Sequence, residues 1–172
     1  MRHHYDVSNE FFALFLDESM TYSCALFEEG IETLEEAQRA KLDVICRKLE
    51  LEEGQRVLDI GCGWGSFVIH AAREYGVSAL GITLSGPQAA LATERARAAG
   101  LEDQVEIMVR DYRELGDRRF DAVVSIGMVE HVGESQVDEY AREIERVLEP
   151  DGAVLNHGIV RVAAQEGSAH VG

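Results

Sequence analysis

Proline and cysteine are scarce in this 172-residue sequence, which has two prolines, Pro87 and Pro150, and three cysteines, Cys24, Cys46 and Cys62. With so little proline and no Gly/Ser-rich stretch, nothing marks a linker, and one domain spanning 1–172 is expected. Three thiols without paired spacing exclude a disulfide scaffold and a cysteine zinc site, so no metal is expected. Basic residues are the next deficit. Lys plus Arg number 16 against 32 Asp plus Glu, for a formal net charge of −16. That balance excludes nucleic acid as a partner, because phosphate binding needs basic stripes. It also argues against simple adsorption to an anionic bilayer. No apolar run approaches the roughly 20 residues of a membrane span. The first six residues lack the apolar core of a signal peptide, so a cytoplasmic protein is expected.

What is present is ordinary globular material. Apolar residues make up 46% and charged residues 28%, enough for one substantial core and incompatible with disorder or a fibrous repeat. Phe11, Phe12, Phe15 and Leu16 share one helical face of an opening helix over 8–17. Thr33-Leu34-Glu35-Glu36 is a capping box, and the helix it starts should stop near Leu51. The acidic run Glu28, Glu29, Glu32, Glu35 and Glu36 reads as the solvated start of that helix. From Arg56 short apolar runs alternate with helical segments: strands at 56–60, 78–83, 105–109, 120–126 and 153–160, helices at 65–75, 87–99 and 135–148. Such alternation predicts a doubly wound α/β fold, a parallel sheet covered on both faces, with a helical N-terminal arm. The arm is placed at 1–54, the Rossmann-like core at 55–161 and an irregular tail at 162–172.

The strongest motif is Val57-Leu58-Asp59-Ile60-Gly61-Cys62-Gly63-Trp64-Gly65, a strand that runs into a Gly-x-Gly-x-Gly turn and then a helix. In doubly wound folds ligands sit beyond the carboxyl ends of the strands, and glycines let them approach the backbone. With Asp59 two residues ahead of Gly61, a ligand site is favoured over a plain turn. The third glycine follows the second by two residues where the dinucleotide fingerprint needs three, and no Gly-Lys-Ser/Thr is present. Thr83, Leu84 and Ser85 also stand where a ribose-binding acid would end the second strand. Trp64 can pack against either a ligand or the core.

The Asp59–Gly65 segment resembles the first motif of the S-adenosylmethionine-dependent methyltransferases. Further segments appear in order: His4-Tyr5-Asp6-Val7-Ser8-Asn9-Glu10-Phe11-Phe12, Tyr22-Ser23-Cys24-Ala25, Gly81-Ile82-Thr83-Leu84-Ser85, Asp111-Tyr112-Arg113 and Ser125 through Gly133. Together they closely resemble the cyclopropane fatty-acyl-phospholipid synthase family, which includes the mycolic acid cyclopropane synthases, from His3 to about Arg161. Asn156-His157-Gly158-Ile159 is nearest to the branch that makes methylene or methyl branches.

The resemblance implies a class I methyltransferase fold and transfer of the sulfonium methyl to a cis double bond of an unsaturated phospholipid acyl chain. The alkene attacks, leaving a carbocation, and loss of a proton to a base then closes a ring or leaves a branch. Bound bicarbonate serves as that base in the family. It implies Cys24, Glu130 and His157 as the catalytic set, with Ile159 nearby and Cys24 acting by position, not as a nucleophile. For S-adenosyl-L-methionine it implies Tyr22 and Ser23 over the methionine carboxylate, and Asp59, Gly61, Cys62, Gly63 and Gly65 along the turn. Thr83, Leu84, Ser85 and Gln88 would lie near the ribose, and Asp111 and Tyr112 near the adenine.

Plainer readings stand beside these: Cys24 as a small buried residue, Glu130 as a solvated loop acid, His157 as a hydrogen-bonded core histidine and Asp111-Tyr112 as a surface turn. His131 is read as structural, in support of Glu130. Family members continue past this point with two more strands, so the last strands are expected to be missing here and 153–160 to form an exposed edge. The isolated chain would then self-associate through that edge and transfer little or no methyl. The rival readings are an inactive cofactor-binding module and a methyltransferase for a small soluble acceptor. Contact with the membrane is expected to be peripheral, through the lipid substrate.

Overall fold

The hydroxyl of Thr33 accepts the N–H of Glu36 at 3.2 Å, and the Glu36 carboxylate takes the N–H of Thr33 at 3.3 Å. This reciprocal cap, worth about 1 kcal/mol, opens the first long helix where the sequence places it. The computed structural model describes residues 8–159. Helices α1 (Asn9–Ala13) and α2 (Leu34–Lys48) come first. There follow β1 (Arg56–Ile60), α3 (Ser66–Tyr75), β2 (Ser78–Thr83), α4 (Gly86–Ala98), β3 (Val105–Val109), β4 (Phe120–Ile126), α5 (Val137–Val147) and β5 (Leu148–His157). All four strand pairs are parallel, in the order β3-β2-β1-β4-β5. This is the expected doubly wound arrangement. The direction of winding reverses between β1 and β4, and a crevice opens there at the carboxyl ends of the strands.

Both faces of the sheet are covered. Val57, Ala79, Ala122 and Val124 face α2, α3 and α4, where they meet Leu42, Ile45, Cys46, Phe67, Val68 and Ala96. The alternate residues Leu58, Ile60, Leu80, Ile82 and Val123 pack on Tyr140, Ile144 and Val147 of α5. Burial on both sides explains why the strands read as nearly unbroken apolar runs. Each fully buried side chain such as Leu58 or Ile82 contributes about 1.5–3 kcal/mol.

Two expectations about the elements need correction. The opening helix ends at Ala13, and of its four apolar residues only Phe12 is fully buried, while Phe11 and Phe15 are half exposed. The chain turns there because the buried Asp17 carboxylate accepts the N–H groups of Ser19 and Thr21, both at 3.0 Å, and the Ser19 hydroxyl. The fifth strand begins at Leu148, not 153, directly after α5. Pro150 is tolerated because β5 pairs only with β4 among the described residues, and the pairing is irregular between Phe120 and Ala122. Val160 and the tail expected at 162–172 lie outside the described residues.

Candidate functional site

The turn after β1 is shaped by what lies beneath it. Gly61 and Cys62 both donate their N–H groups to the Ile82 carbonyl at 2.9 Å, folding the turn down onto β2. It can descend that far because Gly81 has no side chain. A Cβ there would fall 2.9 Å from the Cys62 Sγ and 3.0 Å from Ile107. Gly61 has φ +85°, and a Cβ on it would meet Met128 at 3.0 Å. Gly63 has φ +55°, lines the crevice, and has nothing within 4 Å of a Cβ built on it. Gly65 is different from the other two. It packs against Ala92 of α4, 3.1 Å from where its Cβ would be, and is not among the residues that line the crevice.

The crevice is a cavity of about 590 Å³. Of the thirteen residues expected to hold a cofactor, every one except Gly65 lines it. Asp59 stands at its floor, fully buried, and burial pushes its carboxyl up to about 7 while Lys41 opposes the shift. Burial likewise pushes the Cys62 thiol well up. On the far side Thr83 Oγ1 donates to Gln88 Oε1 at 2.8 Å and accepts the Ser85 N–H at 3.2 Å, tying the end of β2 to α4. Asp111 is both a turn residue and a wall of the cavity. It accepts the Arg113 N–H at 3.0 Å and pairs with the Arg113 guanidinium, whose hydrogen bonds hold its carboxyl low. The Tyr112 ring lies edge-on to Tyr140 with centroids 5.4 Å apart.

The N-terminal arm closes the crevice from the other side. Trp64 is buried against Phe12 and Met20, donates its indole N–H to Asn9 at 2.8 Å, and also lines the cavity, so it meets core and crevice alike. Arg95 holds the Trp64 carbonyl at 2.6 Å. Met20 takes the left-handed φ of +56°, rare for a side-chain-bearing residue, and Thr21, Tyr22 and Ser23 follow along the cavity wall.

The expected catalytic residues are only partly brought together. Glu130 Oε1 accepts the N–H of Ile159 at 2.6 Å, joining the loop after β4 to the end of β5 two residues past His157. The His157 carbonyl accepts the Gly127 N–H at 2.8 Å, and its Nδ1 is buried without a partner among the described residues. Cys24 is exposed, against the plain reading of it as a buried residue. No hydrogen bond joins it to Glu130 or His157 among the described residues. The nearest link is its neighbour Ser23, whose Cβ lies 3.8 Å from a Cβ built on Gly127. None of the three lines the main cavity, whereas His131, read from sequence as structural and in support of Glu130, does. The 3-10 turn Val129–His131 turns the histidine inward and leaves Glu130 exposed.

Several residues of the site escaped the sequence reading: Asp17, Gln38, Lys41, Met128 and Gln136. For Gln38 and Lys41 there was a signal. They interrupt the buried stripe Ala37, Leu42, Ile45, Cys46 on α2, where a polar residue has to find a partner. Among the described residues no helix is long and apolar enough to cross a membrane.

Comparison with known proteins places this geometry. Residues 1–171 match the family described as mycolic acid cyclopropane synthetase. A probable fatty acid methyltransferase of Pseudomonas putida is 49% identical over 158 residues, 91% of this chain and 40% of that protein. The cyclopropane-fatty-acyl-phospholipid synthase of Escherichia coli K12 is 47% identical over 158 residues, 92% of this chain and 40% of that protein. The structure of mycolic acid cyclopropane synthase CmaA1 complexed with SAH and CTAB superposes with a TM-score of 0.84 at 40% identity. That match covers 90% of this chain and 54% of the other. The chain thus spans about half the length of these relatives or somewhat less.

Proposed function

The chain belongs to the mycolic acid cyclopropane synthetase family and has the class I methyltransferase fold, and from that premise we propose that it binds S-adenosyl-L-methionine and acts on unsaturated acyl chains of phospholipids. The observation that carries the cofactor reading is the crevice itself. The glycine turn lines it, the arm closes it, and its walls offer Ser23, Thr83, Gln88 and Asp111 to a polar ligand and Tyr112 to an aromatic one. When bound, the cofactor would supply the methyl carbon transferred to a cis double bond.

In this reading the chain's own groups divide the work. Tyr22 and Ser23 cover the amino-acid end of the ligand, Asp59 and the glycine turn form its floor, and Thr83, Leu84, Ser85 and Gln88 flank its sugar. Cys24, Glu130 and His157 are proposed to form the adjoining catalytic site. The unpartnered Nδ1 of His157 and the immobilised carboxylate of Glu130 suit an oxygen-rich anion that shares a proton with them. Bicarbonate, held there, would act as the base for proton loss from the methylated chain. We treat residues 1–54 as a helical arm and 55–161 as the core of one domain, working in the cytoplasm at the periphery of the membrane that holds its substrate.

The test is incubation of the protein with methyl-labelled cofactor and vesicles of a cis-unsaturated phospholipid. Label in the lipid acyl chain is the expected result for this stretch joined to the remaining strands of a family member, and little or none for the stretch alone. Label in a soluble product would mean a different acceptor. Cofactor binding without any transfer by the joined protein would mean that this stretch is a cofactor-binding module.

A further inference from the structure

Lys41 is 5% exposed, on the face of α2 that packs against the sheet, and its ammonium donates to Ser23 Oγ at 2.6 Å. An ammonium has donors only, so the Ser23 oxygen is the acceptor and its own O–H proton must point elsewhere. One turn earlier, Gln38 Nε2 donates to the carbonyls of Thr21 at 3.2 Å and Ser23 at 2.9 Å. Helix α2 therefore takes up both acceptor groups of Ser23, its hydroxyl oxygen and its carbonyl. The donors remain. Among the described residues neither the Ser23 hydroxyl nor its backbone N–H donates a hydrogen bond, and the residue lines the cavity. Two donors backed by a buried cation suit a carboxylate. The arrangement is notable in a chain of net charge −16 whose cavity floor is itself an acid, Asp59.

We infer that Lys41 is a positioning residue that turns Ser23 into a carboxylate-recognising donor, directed at the amino-acid carboxylate of S-adenosyl-L-methionine. The inference rests on the cofactor reading above. Lys41 does not line the cavity and acts through Ser23. Burial pushes its ammonium down to about 8, with Asp17, Cys24 and Asp59 opposing the shift, so it stays mostly charged at pH 7.

The test is calorimetric titration at pH 7 of the wild-type chain, Lys41→Met and Ser23→Ala with two ligands. One is S-adenosylhomocysteine. The other is 5′-methylthioadenosine, which keeps the nucleoside and lacks the amino-acid carboxylate. Lys41→Met should weaken S-adenosylhomocysteine about 10–100-fold and leave 5′-methylthioadenosine unchanged, since charge-assisted hydrogen bonds are lost only with the first. Ser23→Ala should show the same selectivity, and the double variant should lose little more than either single one. Equal losses for both ligands, or none, would overturn the role of Lys41. Should Lys41→Met fail to fold by circular dichroism, Lys41→Gln, which loses the charge and keeps a polar end, takes its place with the same expected selectivity. A wild-type chain that binds neither ligand would instead overturn the cofactor reading, and this inference with it.

Discussion

Glu130 Oε1 lies 2.6 Å from the backbone nitrogen of Ile159, so a side chain from the loop after β4 pins the end of β5 beside His157. A Cβ on the intervening Gly158 would lie 3.5 Å from the same oxygen and 2.7 Å from Val129. The two segments meet with no room for a side chain between them. The carboxylate is therefore held in place before any substrate arrives.

From this follows the first prediction. Glu130→Gln keeps an acceptor for the Ile159 N–H but removes the charge that a bound base would share a proton with. Cofactor affinity should stay at the wild-type level. In a full-length relative with the matching carboxylate, turnover should fall about 10²–10⁴-fold, the usual range for general-base chemistry. Loss of affinity with normal turnover per bound site would reverse the assignment.

The glycine turn allows a sharper test. Gly63 has φ +55° and lines the crevice, so Gly63→Val strains the backbone of the ligand-facing turn with a branched residue. Gly61→Val adds a clash with Met128. Calorimetry with S-adenosylhomocysteine should show no binding by either variant, alongside a retained helical circular dichroism spectrum. Unchanged affinity in both would move the ligand off this turn.

Burial of Asp59 gives a pH dependence of definite sign. Its carboxyl titrates at about 7 in the folded chain against 3.8 for the free group, because burial disfavours the charge. The protonated form therefore favours folding. This contribution is complete below about pH 4 and is lost as pH rises through about 7. Asp59→Asn is neutral throughout, so its advantage over wild type should be absent near pH 4. By pH 8 it should reach as much as about 4 kcal/mol. Urea unfolding at the two pH values measures it, and equal differences at both would refute the assignment.

The outer edge of β5 is the fourth case. Among the described residues it pairs only with β4, and Val154 on it is 45% exposed. Such an edge templates pairing with a second chain. Net charge opposes association, but salt screens charges beyond about 10 Å at 0.1 M. Light scattering should show the mass rising with protein concentration, more steeply in 0.3 M salt. A monomer at every concentration would mean that the edge is covered.

The order of strands and helices, the α2 cap and the glycine turn were legible in the sequence, because each depends on nearby residues, whereas the cofactor roles of Tyr22, Ser23, Thr83, Gln88, Asp111 and Tyr112 came from the family resemblance. Alternating apolar runs, Thr33 with Glu36, and glycines after a strand act over a few positions, and a parallel sheet repeats that local logic. What only the tertiary structure decided depends on neighbours remote in sequence. Lys41 becomes part of the site because β1 and the arm pack on its face of α2. Gly65 serves Ala92 because α4 crosses there, and His131 turns inward while Glu130 reaches for β5. The start of the fifth strand at Leu148 was hidden because Pro150 reads as a breaker. Only a strand pairing on one side can accommodate its missing N–H, and which strand that is follows from the sheet order, not from residues 148–157 themselves.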